Sequence, residues 1–304
     1  MVARRGLSPK FLDDLQSGLL SPLRRRVRAD RSLCIELREN YINIYYRGGN
    51  LIRVSRAGSR YVAFFDPNYF EGAWQPFALP PALLREPADV AAWLSALPWL
   101  KQGMDLFLGK HPKDEREMQQ ALLRDNNFGS VARSTDYYVC DIEYASDHGR
   151  FDVVAVRWPS TPAERKKQDG GRLVVAEVKC GDSALEGEAG LHAHITDVNS
   201  HLADPSNVAG LKSEMARAFN QKRALGFIDC ARDLLGFSGE LPLLLLVLAN
   251  HDPGKSRLRE LLRSLPPSPH AELRVATGCL LGYGLYDPAI LTIEQALMRF
   301  ETCI

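Results

Sequence analysis

The segment Leu243-Leu-Leu-Leu-Val-Leu-Ala249 is apolar at every position. It lies in the longest apolar run of the chain, Leu241 to Ala249, which Pro242 interrupts. A membrane span needs roughly 18 or more such residues, so this run is too short to cross a bilayer. A strand apolar on both faces has to be covered on both, so the segment reads as a fully buried strand of a layered fold. Around it, antiparallel strands give way to strands alternating with helical stretches, which makes a mixed α/β architecture.

The rest of the chain falls into two parts, divided near residue 100. In the first part, Ser32 to Phe65 reads as an antiparallel meander of four strands. They are Leu33 to Leu37, Tyr41 to Tyr46, Leu51 to Ser55 and Tyr61 to Phe65, β-branched and aromatic, with Gly48-Gly49-Asn50 as one turn. Pro76 to Pro98 is a proline-rich bridge with one short helix, Pro87 to Leu97. Residues 1–100 are thus a small β-rich N-terminal module. Residues 101–304 are the second domain. It opens on a helix written along its dipole from His111-Pro-Lys-Asp-Glu-Arg, which Asn126-Asn127 and Gly129 stop. Strands follow at Tyr137–Tyr144, Phe151–Trp158 and Leu173–Lys179, then helical stretches at about 184–201 and 207–233. The buried strand, a helix at 255–265, a strand at 273–279 and a helix at 292–300 complete it.

At 45% hydrophobic and 25% charged residues, the composition is that of a globular chain and excludes wholesale disorder. The 38 basic and 37 acidic residues leave a net charge of +1. That balance excludes a strongly basic nucleic-acid binder overall, although charge is local. Residues 1–31 hold eight Lys or Arg against three acids. This arm reads first as a solvated, frayed segment and second as a phosphate-contacting arm. The six cysteines form no C-x-x-C pair. With several of them in apolar stretches and no secretory signal in view, the expectation is a reduced, cytoplasmic protein with no membrane association.

The chemistry concentrates in Ala176-Glu177-Val178-Lys179. Strand side chains alternate, so Glu177 and Lys179 share one face while Val174, Ala176 and Val178 share the other. A carboxylate and an ammonium at the end of a buried strand are costly unless used or paired. Asp152, in Arg150-Phe151-Asp152, lies on the preceding strand and reaches the same cleft if the two strands pair. Two converging carboxylates suit a hard divalent cation such as Mg²⁺. Such a cation polarises a phosphoryl oxygen and acidifies a water, and a neighbouring lysine stabilises the developing charge. Together these parts suit phosphodiester hydrolysis. Spacing alone does not carry this reading, because Glu164-Arg165-Lys166 repeats it in a polar loop without apolar alternation.

The order helix acid, Asp152, Glu177-Val-Lys179 resembles the PD-(D/E)xK nuclease superfamily over about residues 112–250. The resemblance implies a restriction-endonuclease-like mixed β-sheet flanked by helices and a Mg²⁺-dependent nuclease, with Mn²⁺ as a substitute ion. It assigns Asp152 and Glu177 to the metal and Lys179 to the attacking water. An upstream glutamate would support the metal directly or through water. That glutamate matches Glu115 or Glu117. Glu115, near the face of Met118 and Leu122, is preferred to Glu117, which lies with Ala121 and Arg124. Phe151 stands where the motif has proline. The implied partner is nucleic acid, DNA before RNA, and cleavage of both strands commonly calls for two sites, so a homodimer fits.

Other clusters read as ordinary surface. Asp141 and Glu143 share a face that reads as the solvent side of an edge strand before it reads as an extension of the acidic cleft. Asn220, Gln221 and Lys222 read as a solvated helix face. His192, His194, Asp197 and His201 lack the H-E-x-x-H spacing of zinc hydrolases, and exposed helix histidines are the expectation. Gly103 to Lys110 fails the P-loop pattern, with His111 where Ser or Thr is required. Two rivals accompany the nuclease reading: a nuclease-like fold that binds or scaffolds without turnover, and a zinc hydrolase built on His192 and His194.

Overall fold

The computed structural model describes residues 5–70, 78–129, 134–187, 190–249, 251, 257–277, 285 and 287–301. The chain forms two compact units. Leaving aside the first two residues, one unit holds Ala3–Gln120 with Gln221–Ile228, and the other holds Ala121–Asn220 with Asp229–Ile304.

The first unit begins with α1 (Pro9–Gln16) and α2 (Ser21–Ala29). The five strands β1 (Leu33–Arg38), β2 (Tyr41–Tyr46), β3 (Gly49–Ala57), β4 (Arg60–Phe64) and β5 (Leu83–Leu84) then pair antiparallel in chain order. The meander is where its alternation and turns put it. The basic arm is in part a correction: over the described residues 5–31 it is largely helical and not frayed, while Lys10, Arg25, Arg26, Arg28 and Arg31 are exposed as a solvated arm requires. Phe11, Leu15, Leu20, Leu23 and Val27 recur near helical spacing and are buried, and Arg5 is buried with them. The helix starting at Pro87 is a second correction. It is α3 (Pro87–Lys110), 24 residues long, and it runs through Pro98. An internal proline removes one backbone bond. The apolar series Trp93, Leu97, Leu100, Met104 and Leu108 continues on both sides of it and is buried. Gly103 lies inside this helix, where a Cβ would collide with the Phe70 ring, so the glycine serves packing and not a phosphate loop.

The helix α4 (Asp114–Asn127) passes from the first unit into the second. The second unit contains β6 (Tyr137–Ser146), β7 (Gly149–Arg157), β8 (Arg172–Cys180), α5 (Leu191–Leu202), α6 (Pro205–Ala224) and β9 (Leu243–Ala249). It ends with α7 (Leu258–Arg263), β10 (Glu272–Thr277), β11 (Ile290–Leu291) and α8 (Ile293–Glu301). The last turn of α6 belongs to the first unit. The sheet order is β11-β10-β9-β8-β7-β6. The strands β6, β7 and β8 are antiparallel, β8, β9 and β10 are parallel, and β11 is antiparallel to β10. All seven residues of β9 are buried, each apolar side chain contributing roughly 1.5–3 kcal/mol. The chain is therefore mixed α/β, with one antiparallel and one mixed sheet. The strand expected over 273–279 is described over Glu272–Thr277, and its last two expected positions, Gly278 and Cys279, like Cys303, lie outside the described residues. Among the described residues, Cys34, Cys140, Cys180 and Cys230 form no disulfide, and no helix is long and apolar enough to cross a membrane.

Candidate active site

The central feature is the junction of β7 and β8. Their antiparallel pairing runs from Arg157↔Arg172 to Val153↔Ala176. One residue beyond that last pair stand Asp152 and Glu177. There the Val178 N–H donates to Asp152 Oδ2 at 3.0 Å, so a side chain takes up a backbone donor and fixes the carboxylate beside β8. Glu177 and Lys179 share a face of β8, as alternation requires, and Lys179 Nζ lies 2.8 Å from Glu177 Oε1. On the far side β8 pairs with β9, Glu177 with Leu246 and Lys179 with Leu248. An apolar strand therefore walls the cluster.

All three groups are buried: Asp152 is 6% exposed, Glu177 2% and Lys179 2%. Burial pushes the Glu177 carboxyl well above the usual carboxylate range, and the neighbouring Asp152 charge pushes it further, while Lys179 opposes both. Lys179 Nζ and His194 Nε2 are nitrogen contacts of Glu177 Oε1 that stand within ion-pair distance, at 2.8 and 3.3 Å. Two carboxyl groups close together in a dry setting cannot both stay ionised without a counter-charge. Lys179 supplies one counter-charge to the pair, and burial with the Asp152 charge still favours the protonated form of Glu177.

The structure brings Asp152, Glu177 and Lys179 together. Glu115 and Glu117 lie in the first turn of α4, in the other unit. Glu117 is exposed and stands 3.7 Å from Arg47 Nε, not against Arg124, which is 3.5 Å from Asp125. Glu115 is half-buried. Among the described residues, no group of three or more His, Cys, Asp or Glu stands arranged to hold a metal ion.

His194 is a correction to the sequence reading, which weighed it only with His192 as a zinc pair and otherwise as exposed. It was expected on an exposed helix face, yet its Nε2 lies 3.3 Å from Glu177 Oε1. The helix α5 buries Leu191, Ile195, Val198 and Leu202 and packs against β7 and β8, which turns His194 toward the cluster. The only sequence signal was its register: one residue before Ile195, on the border of the apolar stripe. His192 is exposed, 3.4 Å from Ser264 Oγ, so the two histidines do not form one zinc site. His201 is a further correction, being buried against Tyr144, Phe151 and His148 with neither ring nitrogen hydrogen-bonded. Asp197 packs on the Gly149 turn, where φ is 140° and a Cβ would crowd its carboxylate.

The remaining polar clusters serve the fold. Asp141 is on the edge strand β6, but it is buried and not solvated. The register shifts between Val139 and Asp141, and such a bulge overturns simple alternation. Glu143 has φ 54° and lies 3.9 Å from Arg150. Asn220, Gln221 and Lys222 are likewise no solvated face. The Asn220 side chain pairs with the Leu234 backbone and the Gln221 side chain with the Leu7 backbone. Lys222 Nζ donates to both oxygens of buried Glu36, at 2.7 and 2.8 Å. Glu164-Arg165-Lys166 is a short 3₁₀ turn whose Arg165 lies over the Tyr138 ring, a structural role. No family model, curated protein or solved structure matches the chain.

Proposed function

We propose that this protein is a metal-dependent nuclease that hydrolyses nucleic-acid phosphodiester bonds, with DNA as the first substrate to test. In this reading it is a member of the PD-(D/E)xK superfamily, and the sheet β6–β11 with its helices is a restriction-endonuclease-like fold. The observation that carries the reading is the buried Glu177 carboxyl, which sits beside a second carboxylate and has an ammonium 2.8 Å from its Oε1. These residues fit a hard cation. Mg²⁺ is commonly held by one or two carboxylates, with waters and substrate oxygens completing its shell, so a ready three-ligand cage is not required.

Asp152 and Glu177 would hold Mg²⁺ or Mn²⁺. The ion would supply a Lewis acid and a water of lowered pKa. Each protein group then has a defined task. The Val178 N–H aims Asp152. Glu177, whose protonated form burial favours, would release that proton to solvent on binding the ion. The Lys179 ammonium orients the attacking water and stabilises negative charge on the phosphoryl oxygens. Walls of β9 leucines keep the site dry, which strengthens each of these interactions. Glu115 is the upstream acid proposed on the resemblance alone.

A second reading keeps the fold without turnover. It is favoured by one observation, the Lys179–Glu177 ion pair in a buried setting, which a purely structural pair also adopts. Incubating the protein with duplex DNA, single-stranded DNA and RNA in Mg²⁺ or Mn²⁺ separates the two. Cleavage of any polymer that chelator stops supports the nuclease; intact polymers throughout support the second reading.

A further inference from the structure

We propose that His194 is a third donor of this cation site and biases it toward Mn²⁺ over Mg²⁺. The inference rests on the cation reading of Asp152 and Glu177 and adds to it the identity of the preferred ion.

Distance is the first argument. Two atoms bound to one ion at about 2.1 Å lie about 3.0 Å apart at octahedral angles and about 3.4 Å apart at tetrahedral ones. His194 Nε2 and Glu177 Oε1 are 3.3 Å apart, inside that interval. Fixation is the second. His194 occupies the first turns of α5, and Leu191, Ile195 and Val198 anchor that helix in the core. The imidazole is therefore brought to the carboxylate by packing that would exist without their contact. Setting is the third. The His194 side chain is 21% exposed, open enough to admit an ion and enclosed enough to matter energetically. Chemistry is the fourth. Mg²⁺ keeps oxygen ligands, whereas later divalent ions accept imidazole nitrogen more readily. A cation cluster with a nitrogen donor thus discriminates between ions that two carboxylates alone would treat more evenly.

Loading requires the side chains of the cluster to rearrange. Lys179 now stands 2.8 Å from the same Glu177 oxygen, and no ready three-donor group exists among the described residues. A cation held by Glu177 Oε1 would take the place that Lys179 Nζ now occupies, 2.8 Å from that oxygen. His192 takes no part, since it faces Ser264.

The test is binding of Mg²⁺ and of Mn²⁺ to the full chain without nucleic acid, by calorimetry and, for Mn²⁺, by loss of the free-ion paramagnetic resonance signal. The proteins are wild type, Asp152→Asn, His194→Ala and His194→Gln. Wild type is expected to prefer Mn²⁺, and Asp152→Asn to lose both ions. His194→Ala should weaken Mn²⁺ by about 10-fold or more while weakening Mg²⁺ by less than about 3-fold. His194→Gln, which offers a hard amide oxygen, should keep Mg²⁺ and lose the preference. A hydrogen bond serving only to hold Glu177 would not alter the Mn²⁺/Mg²⁺ ratio. Unchanged or equally weakened binding of both ions in the His194 variants overturns the third-donor role and leaves the carboxylate site standing. A wild type that binds neither ion overturns both.

Discussion

The carboxylate of Asp152 is fastened across the sheet to its neighbour strand: the Val178 N–H donates to Asp152 Oδ2 at 3.0 Å, in a buried setting. The bond sits where the β7–β8 ladder ends, at Val153↔Ala176. Asp152 thus closes a backbone donor that would otherwise be stranded, and the same carboxylate lies against Glu177.

Substitution separates those two tasks. Asp152→Ala strands the Val178 N–H and should cost about 1–3 kcal/mol of stability. Asp152→Asn retains an acceptor and should cost less, while still removing the charge a cation needs. Urea unfolding followed by tryptophan fluorescence measures the difference, and equal losses would contradict the role given to this bond.

In the first unit, the Lys222–Glu36 pair is a matter of stability. Glu36 is 0% exposed and Lys222 1%, with Arg38 3.6 Å from the Glu36 carboxylate. Lys222→Met leaves a buried carboxylate under-compensated and should cost about 3–5 kcal/mol. The double variant Lys222→Met/Glu36→Leu should recover part of that loss. A single variant that unfolds at the wild-type urea concentration would show that the pair carries no such weight.

The contrast between these two clusters explains what the sequence could disclose. Glu177 and Lys179 were legible because strand alternation is local and their neighbours Val174, Ala176 and Val178 are unambiguous. The β9 strand was legible for the same reason. Lys222 was not, because its partner lies 186 positions away and nothing on its own helix announces it. Asp141 was misjudged because one bulge residue reverses the faces of β6. Pro98 looked like a stop because a local rule was applied where tertiary burial of the following turns decides. His194 and His201 sit toward opposite ends of one helix, and only the packing of α5 shows that His201 is buried and His194 partly so.

His201 gives the protein an acid sensitivity with a definite sign. Burial lowers its pKa, the charge of His148 lowers it further, and Asp147 and Asp204 act the other way. The folded state therefore keeps the imidazole neutral while the unfolded chain takes up a proton near the ordinary value of 6.5. Stability from this residue is complete above that pH and is lost as pH falls through the depressed folded value. His201→Phe, which refills the aromatic contacts, should flatten the fall in melting temperature between pH 7.5 and pH 5. A variant with the wild-type slope would assign the acid sensitivity elsewhere.

Cation binding should leave a pH signature of the same sign, read in affinity. Glu177 holds its proton above the usual carboxylate range, and a metal must displace it. Affinity for Mg²⁺ should therefore rise with pH until Glu177 is ionised without help, then level off. At 100-fold excess over the dissociation constant the ion should add about 2.7 kcal/mol of stability, and Asp152→Asn should abolish the gain. Thermal melts with and without Mg²⁺ across pH check both statements; a gain that persists in Asp152→Asn would place the ion elsewhere.

The most direct measurement is the rate of cleavage of duplex DNA in Mg²⁺ by wild type and by Lys179→Ala, with folding of both verified by circular dichroism. The account predicts cleavage by wild type that chelator stops, and none by the folded variant. Equal cleavage by the two proteins, or none by wild type in Mg²⁺ or Mn²⁺, would contradict it.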